Sequence, residues 1–242
     1  MKRLMFSGFG CPKEPWIDFL GAGTTVISLH DVLKATQSAQ LDVWGDFVAA
    51  EISRIRPDSI VAHDFGGIIT LKALMQLQEK KNRSSATLTL LNTAFRDFDV
   101  LKNPHPFLMQ ISPWSLTQHM IRVSGGEVDP ALKPWYGVIR EVYRQVIATS
   151  LARKVQLKLY SREKARLDSL DFDLRMPAQI IASPNDPYIS MQTIKRIQED
   201  FLIPNFHAVE YGHFPYSSSN RESVRQLIQT FEVGPRALHA KN

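Results

Sequence analysis

The chain has 242 residues, 44% of them hydrophobic, and its 29 Lys and Arg against 24 Asp and Glu give a formal net charge of +5. This length fits one domain with a sizeable core, or one α/β domain that carries an insertion. The basic residues are dispersed among acidic ones, which argues against a nucleic-acid-binding protein. No apolar run approaches the roughly 18 residues of a transmembrane helix, and the single cysteine excludes an internal disulfide. We therefore expect no membrane association and a cytoplasmic protein.

The first part of the chain reads as alternating strands and helices. Lys2 to Phe6 is predicted to form a strand, not a signal peptide, and a glycine-rich turn follows it. Thr24 to Leu29 is predicted to form the second strand, and the polar segment from there to Gln40 is predicted to be a loop. Leu41 to Ile52 has the apolar spacing of a helix.

The next segment organises the chain around Asp64. Ser59 to His63 reads as a buried strand, and the apolar spacing from Ile68 to Met75 indicates a helix, so Asp64 occupies the sharp turn between them. Small residues flank this turn, with Ala62 two positions before and Gly66 two positions after the aspartate. This is the pattern of a nucleophile elbow, with aspartate where serine is usual.

In His-Asp-Phe-Gly-Gly at residues 63 to 67 the sequence resembles the α/β-hydrolase superfamily, and it looks most like the aspartate-nucleophile branch of epoxide hydrolases and haloalkane dehalogenases. The resemblance covers nearly the whole chain except a central segment. It implies an α/β-hydrolase fold, with a mostly parallel, doubly wound sheet and an inserted helical cap. In dehalogenases a tryptophan follows the nucleophile and holds the leaving halide, whereas Phe65 has no such donor.

A carboxylate at this turn is ready to react without a base, because aspartate is ionised at neutral pH. Asp64 is suited to attack a saturated carbon that bears a leaving group, which forms an ester between enzyme and substrate. The alternative interpretation is that Asp64 caps the helix that follows, where a negative charge suits the helix dipole.

The loop after the first strand contains the predicted oxyanion hole. The resembled families have His-Gly-x-Pro here, and this chain keeps Gly8 and Phe9 but has Ser7 and Gly10 in place of the histidine and proline. The resemblance implies that the backbone N–H groups of Phe9 and Phe65 hold the oxyanion. A plain glycine-rich turn is the alternative.

After a further strand at Ala86 to Leu91, the pattern changes to aromatic and basic residues with several prolines. We predict a core formed by residues 1–95 and 176–242, and a helical cap at residues 96–175 that acts as a lid. Helical stretches are predicted near 113–123, 135–152 and 163–170. In the resembled families a pair of cap tyrosines holds the ring oxygen, which makes Tyr136 and Tyr143 candidates for substrate binding, with packing as the alternative. Arg96 is a candidate for an anionic substrate group, or simply an exposed arginine.

The last part of the chain supplies the remaining candidates. A buried strand at Pro177 to Ser183 is followed by a loop with Asp186, which matches the acid of the superfamily. Helix and strand alternate again, and Gly-His-Phe-Pro at 212–215 looks like the loop of the catalytic histidine, His213. Nucleophile, acid and histidine follow in the order that this fold uses. Asp97 and Asp99 are the reserve acids, and His63 is expected to point away from Asp64 because side chains alternate along a strand.

The predicted function is hydrolysis of a small organic substrate, of epoxide, halide or lactone type, with Asp64 as covalent nucleophile and His213 activating the water that releases the product. No metal or organic cofactor is predicted, because no ligand cluster or phosphate loop occurs in the sequence. Two alternatives stay open: an esterase, lyase or cyclase of a biosynthetic pathway in which Asp64 does not attack, and a binding protein without activity. The sequence does not predict the oligomeric state.

Overall fold

The computed structural model describes residues 1–8, 11–80, 85–93, 113–142, 144–145, 174 and 176–239. Its centre is a sheet of six parallel strands in the order β2-β1-β3-β4-β5-β6. The strands are β1 (Arg3–Phe6), β2 (Thr24–Ile27), β3 (Ser59–His63), β4 (Thr87–Leu91), β5 (Ala178–Ala182) and β6 (Asn205–Ala208). Every residue of β1, β3, β4 and β5 is buried, as expected for strands covered on both faces. The predicted mostly parallel sheet is confirmed.

Helices connect and flank the strands. They are α1 (Glu14–Leu20), α2 (Leu29–Thr36), α3 (Leu41–Ile55), α4 (Phe65–Glu79), α5 (Trp114–Val123), α6 (Met191–Asp200) and α7 (Arg221–His239). The chain steps from β1 outward to β2 and then returns past β1 to β3, and right-handed crossovers in opposite directions place helices on opposite faces of the sheet. The contacts agree, because α1 packs with α7 and α3 packs with α4. The sheet is therefore doubly wound, with its reversal between β1 and β3.

One local prediction was wrong. The segment before Gln40, predicted as a loop, contains α2, and β2 ends at Ile27. Ser28 begins this helix with a capping box, since its hydroxyl accepts from the N–H of Asp31 and the Asp31 carboxylate accepts from the N–H of Ser28 at 2.8 Å. These two bonds satisfy backbone donors that a helix start leaves open, which is why a polar segment forms a helix here.

The predicted cap is described only in part. α5 matches the predicted helix near 113–123, and a 3₁₀ helix at Pro130–Trp135 leads into a helical segment at 136–142. The other predicted cap helix, near 163–170, lies outside the described residues, as do residues 143 and 146–152 of the helix predicted at 135–152. The cap and core boundaries therefore stay a prediction, although the excursion between β4 and β5 falls where that prediction puts it.

A buried ion pair joins the beginning of the sheet to the final helix. Arg3 on β1 donates to both carboxylate oxygens of Glu232 on α7, at 2.7 and 2.6 Å, and the Glu232 side chain is fully buried. Arg3 also donates to Thr24 at 3.3 Å. Removing one partner of a buried ion pair lowers the stability of a protein much more than replacing both partners with apolar residues does.

Replacing Glu232 with alanine is expected to lower the free energy of unfolding by about 3–5 kcal/mol, because the Arg3 guanidinium then stays buried without its partner charge. Urea denaturation measures the change. The matched control on the same helix is Glu222→Ala, which removes an exposed pair with Arg225 and is expected to cost less than about 1 kcal/mol. Equal losses in the two variants would contradict the account.

Candidate active site

The site lies where the carboxyl ends of the parallel strands meet. β1, β3, β4, β5 and β6 all end at this edge. The direction in which the chain adds strands to the sheet reverses between β1 and β3. Ligands of doubly wound sheets bind at such a reversal. The described candidates for catalysis, Asp64, Asp186 and His213, follow β3, β5 and β6 respectively.

Asp64 has a strained backbone. Its φ of 48° and ψ of −120° lie outside the regions that L-residues normally adopt, and the residue stands between β3 and α4. The turn needs close approach of backbone, because a Cβ at position 66 would lie 2.7 Å from the carbonyl oxygen of Ser7. Such strain persists at functional sites where the surrounding structure enforces it. Asp64 is the N-terminal cap residue of α4, and its side chain makes no capping hydrogen bond to the helix, so a capping role would rest on its charge near the helix dipole alone.

The strained backbone at Asp64 should affect the stability of variants at this position. Asp64→Gly is expected to be more stable than Asp64→Ala by about 1 kcal/mol, because glycine adopts the required conformation freely and this gain exceeds its greater entropy when unfolded. Both variants lack the carboxylate, so their difference isolates the backbone. Chemical denaturation of the two variants measures it. An alanine variant as stable as the glycine variant would contradict the prediction, because strain at the turn would then only offset the greater entropy of unfolded glycine.

Asp186 and His213 form a hydrogen-bonded pair. Nδ1 of His213 lies 2.8 Å from Oδ2 of Asp186, and both side chains are shielded from solvent. The other carboxylate oxygen accepts from the N–H groups of Tyr188 and Ile189, at 2.7 and 3.0 Å. The carboxylate is thus fixed by its own loop, and it orients the imidazole with Nδ1 as the bound nitrogen.

The charges around His213 determine its titration. Burial alone lowers the pKa of an imidazole, but the Asp186 carboxylate, which accepts its hydrogen bond, and the Asp64 carboxylate together raise the pKa of His213 above 6.5. Asp186 has the larger influence on this pKa, and Asp64 has the smaller one.

His63 packs against His213, contrary to the sequence prediction that its side chain points away from that of Asp64. Its ring is fully buried, 4.8 Å from the ring of His213, and Nε2 is 2.9 Å from the His213 carbonyl oxygen. A Cβ at position 8 would be 2.6 Å from Cβ of Asp64 and 2.8 Å from Nδ1 of His63, so both side chains meet at Gly8. Alternation fails here because the backbone leaves the extended conformation at residue 64.

This histidine is held neutral. Burial and the neighbouring His213 keep the pKa of His63 well below its usual range. The His213 carbonyl can only accept, so Nε2 of His63 carries the proton and donates it. Through this bond His63, the last residue of β3, holds the backbone of His213 next to the strand that leads to Asp64.

Two polar residues that the sequence analysis did not select tie the loops together. Asn92, directly after β4, is buried with a φ of 40°, and its amide donates to the carbonyl oxygens of Gly212 and His213, at 2.8 and 3.2 Å. The side-chain oxygen Oδ1 of Asn92 accepts from the N–H of Ser183 at 2.8 Å. The Ser183 hydroxyl in turn accepts from the N–H groups of Tyr211 and Gly212, both at 3.0 Å. The signal for Asn92 was its place after a buried strand, together with the ease with which asparagine adopts positive φ.

The remaining candidates are placed less fully. Phe65 is buried, and its ring packs at 5.9 Å against Trp44 of α3, so its side chain belongs to the core and only its backbone is available to the turn. Tyr136 is buried in the cap, with its hydroxyl 2.6 Å from Oγ1 of Thr117 and its ring against Trp114. These contacts are those of a packing residue. Other candidates, namely Phe9, Arg96, Tyr143, Asp97 and Asp99, lie outside the described residues.

Neither a metal site nor a reactive thiol is found in the described part of the chain. No group of three His, Cys, Asp or Glu side chains there is arranged to hold a metal ion. Burial raises the pKa of the Cys11 thiol to about 12, so it stays protonated. Among the described helices, none combines the length and the apolar character needed to cross a membrane.

Comparison with known proteins identifies the fold. No family model and no curated protein matches the sequence. Solved structures do match: the thioesterase RedJ of the prodiginine biosynthetic pathway in Streptomyces coelicolor has a TM-score of 0.60 at 12% identity, over 96% of this chain and 89% of RedJ. An inhibitor complex of Bacillus megaterium epoxide hydrolase has a TM-score of 0.57 at 17% identity, over 96% and 93% of the two chains. A structure from the metagenome-derived lipolytic enzymes LipS and LipT has a TM-score of 0.55 at 15% identity, over 96% and 92%. The chain thus has the α/β-hydrolase fold, and its neighbours in structure are hydrolases of several specificities.

Proposed function

We propose that the protein is a hydrolase in which Asp64 attacks a small organic substrate and forms a covalent ester. The observation that carries the proposal is the strained turn at Asp64, which lies at the same edge of the sheet as the hydrogen-bonded pair of His213 and Asp186. A carboxylate held in this way displaces a leaving group from a saturated carbon, as in an epoxide, a halide or a strained lactone.

The second step releases the product. Neutral His213 accepts a proton from water, and the hydroxide attacks the carboxyl carbon of the Asp64 ester. The acyl–oxygen bond breaks, and the departing alkoxide takes the proton from the imidazolium, so that the product leaves as an alcohol and His213 is neutral again. Asp64 then loses its proton to solvent. The Asp186 carboxylate stabilises the imidazolium that forms. The backbone N–H groups of Phe65 and Phe9 are proposed to hold the oxyanion of the intermediate.

Single turnover in water enriched in oxygen-18 tests the covalent step. Excess enzyme reacts once with each member of a panel of epoxides, halides, lactones and esters, and the peptide that contains Asp64 is then weighed by mass spectrometry. One oxygen-18 in the Asp64 carboxylate is expected, because water attacks the carboxyl carbon and the old oxygen leaves with the product. Turnover with an unlabelled Asp64 indicates the same-fold esterase, lyase or cyclase, and failure on every substrate class indicates a binding protein.

The pH dependence follows from the raised pKa of His213. Only the neutral imidazole accepts a proton from water, so ester hydrolysis, and kcat where this step limits turnover, is expected to rise with pH. The Asp186 carboxylate raises the midpoint of this rise, because it stabilises the protonated imidazole also in the ester, which no longer carries the Asp64 charge. Asp186→Asn removes the bound charge, so the midpoint is expected to move to lower pH while the maximal rate falls. A pH profile of kcat in both proteins, with a substrate whose ester hydrolysis is the slow step, measures the shift. Asp42→Asn, an exposed carboxylate on α3, is the control and leaves the midpoint in place. A midpoint that stays fixed in Asp186→Asn would contradict the assignment of His213 as the base.

A further inference from the structure

Tyr188 touches both members of the His213–Asp186 pair. Its backbone N–H donates to Oδ1 of Asp186 at 2.7 Å. Its ring stands edge-on to the imidazole of His213, with ring centroids 4.8 Å apart and planes at 86°. The residue therefore borders the imidazole on the side of the acid loop.

The hydroxyl of the same residue reaches the cap. It donates to the carbonyl oxygen of Met120 on α5 at 2.7 Å, and it contacts Oγ of Ser124 directly after this helix. A carbonyl can only accept, so the phenolic proton points at the cap helix. Burial, together with the charges of Asp186 and Asp64, raises the pKa of Tyr188, so the donor is retained at neutral pH.

The chain just beyond this helix also meets the loop of His213. The N–H of Glu127 donates to the hydroxyl of Tyr216 at 3.4 Å. Gly126 lies so close to the ring of Phe214 that a Cβ there would be 2.6 Å from Cζ. The cap segment from Met120 to Glu127 is thus in contact with the acid loop through Tyr188 and with the histidine loop through Phe214 and Tyr216.

We propose that Tyr188 is a positioning residue that couples the cap helix α5 to the orientation of the His213 imidazole. Its single side chain is bonded to the cap at one end and packed against the imidazole along its edge, so a displacement of α5 is transmitted to the ring that it borders. A substrate seated beneath the cap would act on the base through this contact. The coupling is a property of the fold, and only its effect on turnover rests on the proposed function.

The coupling is tested without substrate. Tyr188→Phe keeps the ring and removes both hydroxyl contacts. Ser124→Ala keeps the bond from Tyr188 to Met120, and it removes the serine contact with Tyr188 and the bond that Ser124 itself donates to the Met120 carbonyl. Hydrogen exchange of the backbone amides reports on residues 114–127 and 211–217, and proton NMR reports on the Nδ1–H of His213. In Tyr188→Phe we expect faster exchange in both segments together with a shifted or broadened His213 signal, and a smaller effect of the same kind in Ser124→Ala. Faster exchange in the cap alone, with the His213 signal unchanged, would overturn the proposal.

Turnover gives a second readout once a substrate is found. Tyr188→Phe is expected to lower kcat about tenfold with little change in KM, the size of effect that one lost hydrogen bond produces. Tyr188→Leu also removes the ring and is expected to lower kcat further. A change in KM alone would show that the residue only shapes the pocket, and would overturn the positioning role. If oxygen-18 does not enter Asp64, the exchange and NMR results still decide the coupling, so the two proposals fail separately.

Discussion

Asp64→Asn is expected to lower kcat by at least about 10³-fold, whatever the substrate proves to be, because an amide lacks the charge that lets the carboxylate attack unaided. The amide is nearly the same size as the carboxylate, so the turn between β3 and α4 is preserved. Steady-state kinetics and a thermal unfolding curve measure activity and folding together.

Two comparisons make this result decisive. Asp64→Ala guards against slow deamidation of the asparagine, and it is expected to be equally inactive. Asp42→Asn changes an exposed carboxylate that pairs with Lys72, and it is expected to keep the parent activity. An asparagine variant that retains a tenth or more of the parent kcat would remove Asp64 from the role of nucleophile.

His213→Gln is expected to halt the reaction at the covalent ester. Formation of the ester needs only the Asp64 carboxylate, whereas its hydrolysis needs the imidazole to accept a proton from water, a contribution of about 10²–10⁴-fold. The variant should therefore release one equivalent of leaving group, or open one equivalent of epoxide, and then stop. Mass spectrometry of the intact protein should show the added mass of the substrate, and digestion should place it on the Asp64 peptide.

The matched control is His207→Gln, on the edge strand β6, which is expected to turn over normally without an adduct. A His213→Gln protein that is inactive and unmodified would mean that the histidine acts before any covalent step. That outcome would favour the esterase, lyase or cyclase reading, in which the imidazole is the first base.

The fold was predictable because its signals are local. Apolar runs such as Ser59 to His63 and Ala178 to Ala182 read as strands on their own, and the rule that ligands bind at strand ends then selects Asp64 and Asp186. The helix α2 was missed although its signal was also local: Ser28 stands three residues before Asp31, the spacing of a capping box. Which residues act in catalysis stays a prediction until the variants are measured.

The supporting network was not predictable in the same way. The Asn92 side-chain amide donates to carbonyl oxygens that lie 120 and 121 positions later in the chain, and the N–H of Ser183 donates to the Asn92 side chain, 91 positions earlier. The periodic patterns of apolar residues in a sequence do not predict contacts between residues so far apart in the chain, because these contacts depend on how the fold brings the strand ends together. The contact between the tilted rings of His63 and His213 was not predicted, because side-chain alternation holds along a strand and ends where the backbone turns.

The buried pair between Arg3 and Glu232 has a consequence for synthesis of the chain. The two residues are 229 positions apart, so the guanidinium of the first strand emerges from the ribosome long before its partner carboxylate. β1 lies inside the sheet, between β2 and β3, and cannot bury its charge favourably until α7 has been made. The charge-paired state of β1 therefore depends on α7, and the turn at Asp64 shares this dependence because Gly66 packs against the backbone of β1.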